Sequence, residues 1–128
     1  MSQPIAADTD LPVTLADVEA ARPLLAGAVL RTPTLRAPRL ADLTGADVWV
    51  KYENFQVTAS FKERGALVKL SRLAPEEARR GVVAMSAGNH AQAVAYHGER
   101  LSISTTIVMP QTTPQVKVMA TRAFGANV

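Results

Sequence analysis

Two short stretches hold the residues whose types and spacing could do chemistry. The first is "VTASFKERGALVKL", Val57 to Leu70. Lys62 stands directly behind Phe61 in what reads as the first turn of a helix, with Ser60 as N-cap and Glu63 at the capping-box spacing. An ammonium group there faces the positive end of the helix dipole, where an acidic residue would be the stabilising choice. A solvated surface lysine tolerates such a position. A lysine that must attack a carbonyl as a neutral amine gains from it, because burial and nearby positive potential both disfavour the ammonium form, and a buried helix start would supply both. The second stretch is "SAGNHAQ", Ser86 to Gln92. It follows an apolar run and opens a helix, so free main-chain N–H groups converge on it. Gly88 lets the backbone come close to a ligand, and Ser86, Asn89 and His90 add side-chain donors. A carboxylate suits this turn, although an ordinary strand-to-helix turn capped by Asn89 would carry the same features. The lysine and glycine spacing of a Walker loop is missing, as is the dinucleotide glycine pattern. Together the stretches describe an enzyme that forms an imine with a cofactor and holds a carboxylate.

The elements that must position them follow from caps, periodicity and breakers. Thr14 and Asp17 open a helix whose apolar positions Leu15, Val18, Ala21 and Leu25 keep a helical period, with Pro23 shortening or kinking it. "RTPTLRAP" reads as an extended connection, "RLADLTGA" as a short helix closed by Gly45, and "DVWVKYE" as a strand. The Ser60 helix runs to about Leu73, and "APEEARRG" is a short helix between Pro75 and Gly81. From Gly81 onward the order is strand ("GVVAM"), helix (from about Asn89, with Gln92 as a capping partner), strand ("STTIVMP"), helix (Thr113 as N-cap, Pro114 at N1, Gly125 at C′). The final "NV" reads as the start of one more strand. Strands separated by helices of this length pair in parallel through right-handed crossovers, which makes the fold α/β.

Composition narrows the function. The chain has 128 residues, 48% hydrophobic and 20% charged, enough for one globular domain with a core. It has no cysteine, which removes disulfides, thiolate metal sites and cysteine nucleophiles, and its two histidines, His90 and His97, do not make a metal centre. The net charge of +3 is interleaved with acids and the aromatic content is 5%, so nucleic acid is not the expected partner. No apolar run approaches the roughly 20 residues of a membrane span. Residues 1–13 lack the features of a signal peptide and read as a flexible tail, which leaves the cytoplasm as the expected compartment.

"KYENFQVTASFKERGA" closely resembles the cofactor-attachment segment of the fold-type II pyridoxal-phosphate enzymes, "SAGNHAQAVA" resembles their asparagine loop, and "IVMPQTTPQVKVMATRAFGANV" is similar to the segment that follows. The nearest members are the threonine dehydratases (threonine ammonia-lyases), with serine racemase close by. The resemblance runs from about Thr14 to the end. It implies a tryptophan synthase β-like fold, a parallel sheet with flanking helices that is incomplete because the chain ends early. Residues 14–78 would be the N-terminal part of the large domain and 79–128 the first part of the small one. It implies that Lys62 holds pyridoxal 5'-phosphate as a Schiff base and shuttles the Cα proton, that Phe61 lines the cofactor's surroundings, and that Asn89 meets the ring hydroxyl. Ser86, Ala87, Gly88, Asn89 and His90 would hold the substrate carboxylate. The implied reaction is β-elimination from L-threonine, with L-serine as a second substrate, and a homo-oligomer as the full-length parent.

Within the family, serine racemases have a serine where this chain has Ala87. Ala87 cannot donate a proton, so the resemblance favours a dehydratase. Cysteine synthases resemble "SGNTG" instead, which His90 and Ala91 oppose. Three positions depart from the pattern: Glu63 stands where an aliphatic residue is usual, Ala93 replaces a glycine, and His97 replaces a small residue. The capping-box reading makes Glu63 a harmless departure, with altered packing beside the lysine as the other outcome, and His97 reads as partly exposed and not catalytic. The glycine-rich phosphate cup and the partner of the pyridine nitrogen are missing, which implies an inactive N-terminal fragment with half a site.

Overall fold

The computed structural model describes residues 12–128. Helix α1 (Leu15–Leu25) begins as its cap predicts: Thr14 Oγ1 accepts the Asp17 N–H while the Asp17 carboxylate accepts the Thr14 N–H. Pro23 is accommodated near its end, where its missing N–H leaves only the Glu19 carbonyl, one turn back, without its helical donor. The expected extended connection is instead a short strand, β1 (Thr34–Arg36). It pairs antiparallel with β2 (Trp49–Lys51) across the short helix α2 (Pro38–Thr44). Gly45 ends α2 with φ of 71°, a backbone state that glycine adopts without strain.

A 3-10 turn (Glu53–Phe55) leads to α3 (Lys62–Ser71), which starts one residue later than the Ser60 cap implies. Ser60 Oγ accepts the Lys62 N–H instead, at 3.0 Å. After α4 (Pro75–Arg80), β3 (Val82–Met85) and β4 (Thr105–Val108) pair in parallel through the crossover helix α5 (Asn89–Arg100). Helix α6 (Gln115–Ala123) follows, capped by Pro114 rather than Thr113. The last residues do begin another strand: Asn127 pairs in parallel with Thr106, on the side of β4 away from β3.

The core gathers around α5. Ala91, Ala93 and Ala95 are wholly buried, and their small side chains let α5 lie close to its neighbours α3, α6, β3 and β4. Ala66 of α3, Ile107 of β4 and Ala126 complete the cluster. Full burial of a side chain the size of Ile107 contributes about 1.5–3 kcal/mol. The strand period of two places Val83, Met85 and Val108 on the opposite, exposed face of the sheet. No helix among the described residues is long and apolar enough to cross a membrane.

Candidate functional site

The segment ahead of Lys62 is tied down by polar contacts. Glu53 and Arg64, eleven residues apart, form a two-pronged pair, Nε to Oε2 and Nη2 to Oε1, both at 2.8 Å. The Thr32 hydroxyl also donates to Glu53. Gln56 brackets Leu30, accepting its N–H at 3.1 Å and donating to its carbonyl at 2.9 Å. The Arg64 guanidinium, aided by Thr32 and Gln56 against partial burial, holds the Glu53 carboxyl down to about 2. This latch fixes the 3-10 turn to the start of α3. Nothing local marks it in the sequence, because its partners belong to different elements.

Lys62 opens α3, as expected, but it is exposed rather than buried. The chain's own residues therefore supply the helix-terminus half of the expected environment and not the desolvated half. Lys62 Nζ lies 4.9 Å from the centroid of the exposed Phe61 ring. Both residues border a cleft of about 450 Å³ whose wall is mostly apolar, formed by Ala66, Leu70, Val82, Ala84 and Val94 together with His90.

The Ser86–His90 turn joins the carboxyl end of β3 to α5, the end of a parallel strand at which α/β proteins bind ligands. Ser86 and Gly88 are half-buried, while Asn89 and His90 are exposed. Ser86 Oγ accepts the Gly88 N–H at 3.2 Å, so that donor is already engaged. Gly88, not Asn89, is the N-cap residue, and no side chain caps the helix. The first N–H groups of α5 consequently lack a helical partner and are open to an anion. A Cβ on Gly88 would meet nothing within 4 Å, so this turn lies open. His90 is the member of the turn that reaches the cleft shared with Lys62. Ser86, Ala87, Gly88 and Asn89 are not in its wall.

Two departures need correction. Glu63 does not close a capping box with Ser60: it is 1% exposed, and its carboxyl accepts the main-chain N–H of Thr58 instead. His97 is not partly exposed: it is 0% exposed, with Nε2 lacking a hydrogen-bond partner. Periodicity could have placed both. Glu63 leads the stripe Ala66, Leu67, Leu70, and His97 continues Ala93 and Val94.

An exposed amine at the rim of an apolar cleft, beside an open helix start at the end of a parallel strand, defines an α/β protein suited to a carbonyl compound with an acidic substituent. The chain belongs to the pyridoxal-phosphate dependent enzyme family, whose model matches residues 25–128. It is 44% identical over 117 residues to the L-threonine dehydratase catabolic TdcB of Staphylococcus aureus, covering 91% of this chain and 34% of that protein. Among solved structures, the processed form of threonine deaminase isoform 2 from Solanum lycopersicum matches with a TM-score of 0.75 at 40% identity. That match covers 91% of this chain and 33% of the other. Serine racemase from Dictyostelium discoideum matches with a TM-score of 0.84 at 37% identity, over 91% and 38%. The chain thus spans about a third of the length of these relatives.

The residues present fit the aldehyde and ring of the family's cofactor, pyridoxal phosphate, through the Lys62 amine and the apolar cleft beside Phe61. The cleft volume lies within the usual range for a small-molecule site. For the phosphate there is no glycine-rich turn, since no two of the seven glycines are adjacent. Among the described residues no cluster of His, Asp and Glu could hold a metal ion.

Proposed function

We propose that this chain carries the lysine-bearing and carboxylate-binding part of an L-threonine ammonia-lyase. The overall reaction converts L-threonine to 2-oxobutanoate and ammonia, and L-serine to pyruvate and ammonia. The observation that carries this reading is the single cleft bordered by Lys62, Phe61 and His90, with the open start of α5 next to it. When bound, pyridoxal phosphate supplies the electron sink that makes the substrate's Cα–H acidic. Lys62 would hold the cofactor, and its Nζ would take the substrate's Cα proton. Ser86, Ala87, Asn89 and His90 hold the substrate carboxylate with main-chain N–H groups and side-chain donors, Gly88 letting the turn come close to it, which fixes the Cα–H bond relative to Nζ. Asn89 also meets the cofactor's ring hydroxyl, and Phe61 shields one side of the cleft. The β-hydroxyl leaves as water, and hydrolysis of the resulting enamine returns a water and frees ammonia.

Residues 14–78 are assigned to the large domain of the parent enzyme and 79–128 to the small one. The separate β1–β2 and β3–β4 sheets support that division. The parent is assigned to the cytoplasm as a homo-oligomer. A second reading, racemisation of an amino acid, is kept because of the match to serine racemase. Ala87 opposes it, having no proton to donate.

The test is to add pyridoxal phosphate, reduce with borohydride and map the adduct. The chain has four lysines, Lys51, Lys62, Lys69 and Lys117. Labelling concentrated on Lys62 is expected. Labelling spread evenly over the four would overturn its assignment. For the reaction, a longer chain containing this segment should release 2-oxobutanoate from L-threonine, whereas D-amino acid without a 2-oxo acid would favour the racemase reading.

A further inference from the structure

We propose that Glu63 is a positioning residue for Lys62, an inference that rests on the assignment of Lys62 as the cofactor lysine. A glutamate beside the reactive lysine would ordinarily compete for solvent or pair with the ammonium group. Here it does neither. It turns into the protein, 1% exposed, and accepts the N–H of Thr58. That bond spans the five residues that deliver Lys62 to the start of α3, and it closes them into a loop.

The loop needs closing. Ala59 at its centre has φ of 53°, the left-handed region that a residue with a Cβ enters at a cost. Thr58 and Ser60 on either side are buried, while Val57, Ala59 and Phe61 are exposed. The loop is therefore held by its polar members rather than by packing of its apolar ones. Beside the main-chain bond from the Ala59 N–H to the Gln56 carbonyl at 2.9 Å, two side-chain acceptors hold it: first the Glu63 carboxyl on the Thr58 N–H, and second Ser60 Oγ on the Lys62 N–H at 3.0 Å. The second fixes the Lys62 main chain, and the first fixes where the loop begins.

His97 backs this arrangement from α5. Its wholly buried ring lies against the main-chain carbonyl of Glu63 and on the side chain of Tyr96, with Arg100 near Nδ1 at 3.5 Å. Helix α3 is thus held at Glu63 through its side chain to the loop, with α5 packed behind it. The direction in which Lys62 leaves the helix follows from that bond.

Two substitutions separate this role from a general contribution to stability. Glu63→Gln keeps the shape and an oxygen that can accept the Thr58 N–H. Glu63→Met keeps the volume and removes the acceptor, so the buried donor is left without a partner. The full chain and both variants are treated with pyridoxal phosphate and borohydride, and the Lys62 label is expressed relative to that of Lys69 on the same helix. Amide exchange of the Val57–Phe61 segment is followed in parallel. In Glu63→Met the Lys62:Lys69 ratio should fall at least threefold, and the segment should exchange about tenfold faster. Glu63→Gln should remain within twofold of the starting protein on both measures. An unchanged ratio in Glu63→Met overturns the positioning role, as does equal loss of label at Lys62 and Lys69. Loss in Glu63→Gln as large as in Glu63→Met also overturns it. Absence of any Lys62 preference in the unsubstituted chain is a different failure, since it removes the cofactor-lysine assignment itself.

Discussion

Residue by residue, the buried polar groups decide how this chain responds to acid. Burial, with Arg100 adding to it, pushes the His97 imidazole down from its ordinary 6.5 to about 4. The unfolded chain therefore takes up that proton more readily than the folded one. The contribution of neutral His97 to stability is complete above pH 6.5 and is lost as the pH falls from 6.5 to about 4, by roughly 3 kcal/mol at most. Glu53, held down to about 2 chiefly by Arg64, loses its contribution in a lower window, from 4.5 toward 2. Urea unfolding midpoints measured against pH should therefore fall in two stages. His97→Leu should flatten the upper stage and leave the lower one in place. A midpoint that still drops between pH 6.5 and 4.5 in that variant would show that another group titrates there. Lys62 and the donor turn were legible because their chemistry is carried by residue type and local spacing. His97 was misplaced because a polar side chain was read as partly exposed, and Glu63 was given a capping bond that it does not make, although each lies on the apolar stripe of its own helix.

Among the elements, α5 and its neighbours leave least room. A Cβ added to Gly98 would collide with Thr105 Oγ1 of β4 and come within 3.1 Å of the Ile103 carbonyl. Gly98→Ala should destabilise the protein by about 1–3 kcal/mol, because backbone or β4 must shift to admit a methyl group. Gly65→Ala is the control. It lies inside α3 with nothing within 4 Å of an added Cβ, and replacing a mid-helix glycine should raise stability by about 0.5–1 kcal/mol. Thermal unfolding of the two variants measures both, and equal shifts would contradict the packing described at β4. The α5 and β4 segments were evident in the sequence from their periodicity and breakers. Strand β1 was not, because "RTPTLRAP" carries two prolines, and only its pairing with β2 shows why Thr34–Arg36 is extended.

For the molecule as a whole, the two faces of the β3–β4 sheet differ sharply. Helix α5 covers one, and the other leaves Val83 74% and Met85 81% exposed. Parallel sheets are ordinarily covered on both faces, so this chain presents apolar surface that water solvates poorly. It should bind an apolar fluorescent dye, and the double change Val83→Lys with Met85→Lys should cut that fluorescence at least twofold. Undiminished fluorescence would place the dye on another exposed apolar group, such as Val13, Leu15 and Val18 at α1. The α/β class was readable from the alternation of strand and helix, but the bare face was not, since an apolar strand reads the same whether one side or both are covered.

The crossover from β3 to β4 also bears on the order in which structure forms. Each bridged pair in this sheet is 23 residues apart (Val82 with Thr105, for example), the length of α5 with its two connections, and the entropy lost in closing a loop grows only slowly with its length. Its pairing needs a single crossover, and α5 touches both strands as well as α6. Residues from β3 onward can nucleate a compact unit while the Glu53–Arg64 latch is still open, and the segment bearing Lys62 then settles onto a surface that has already formed.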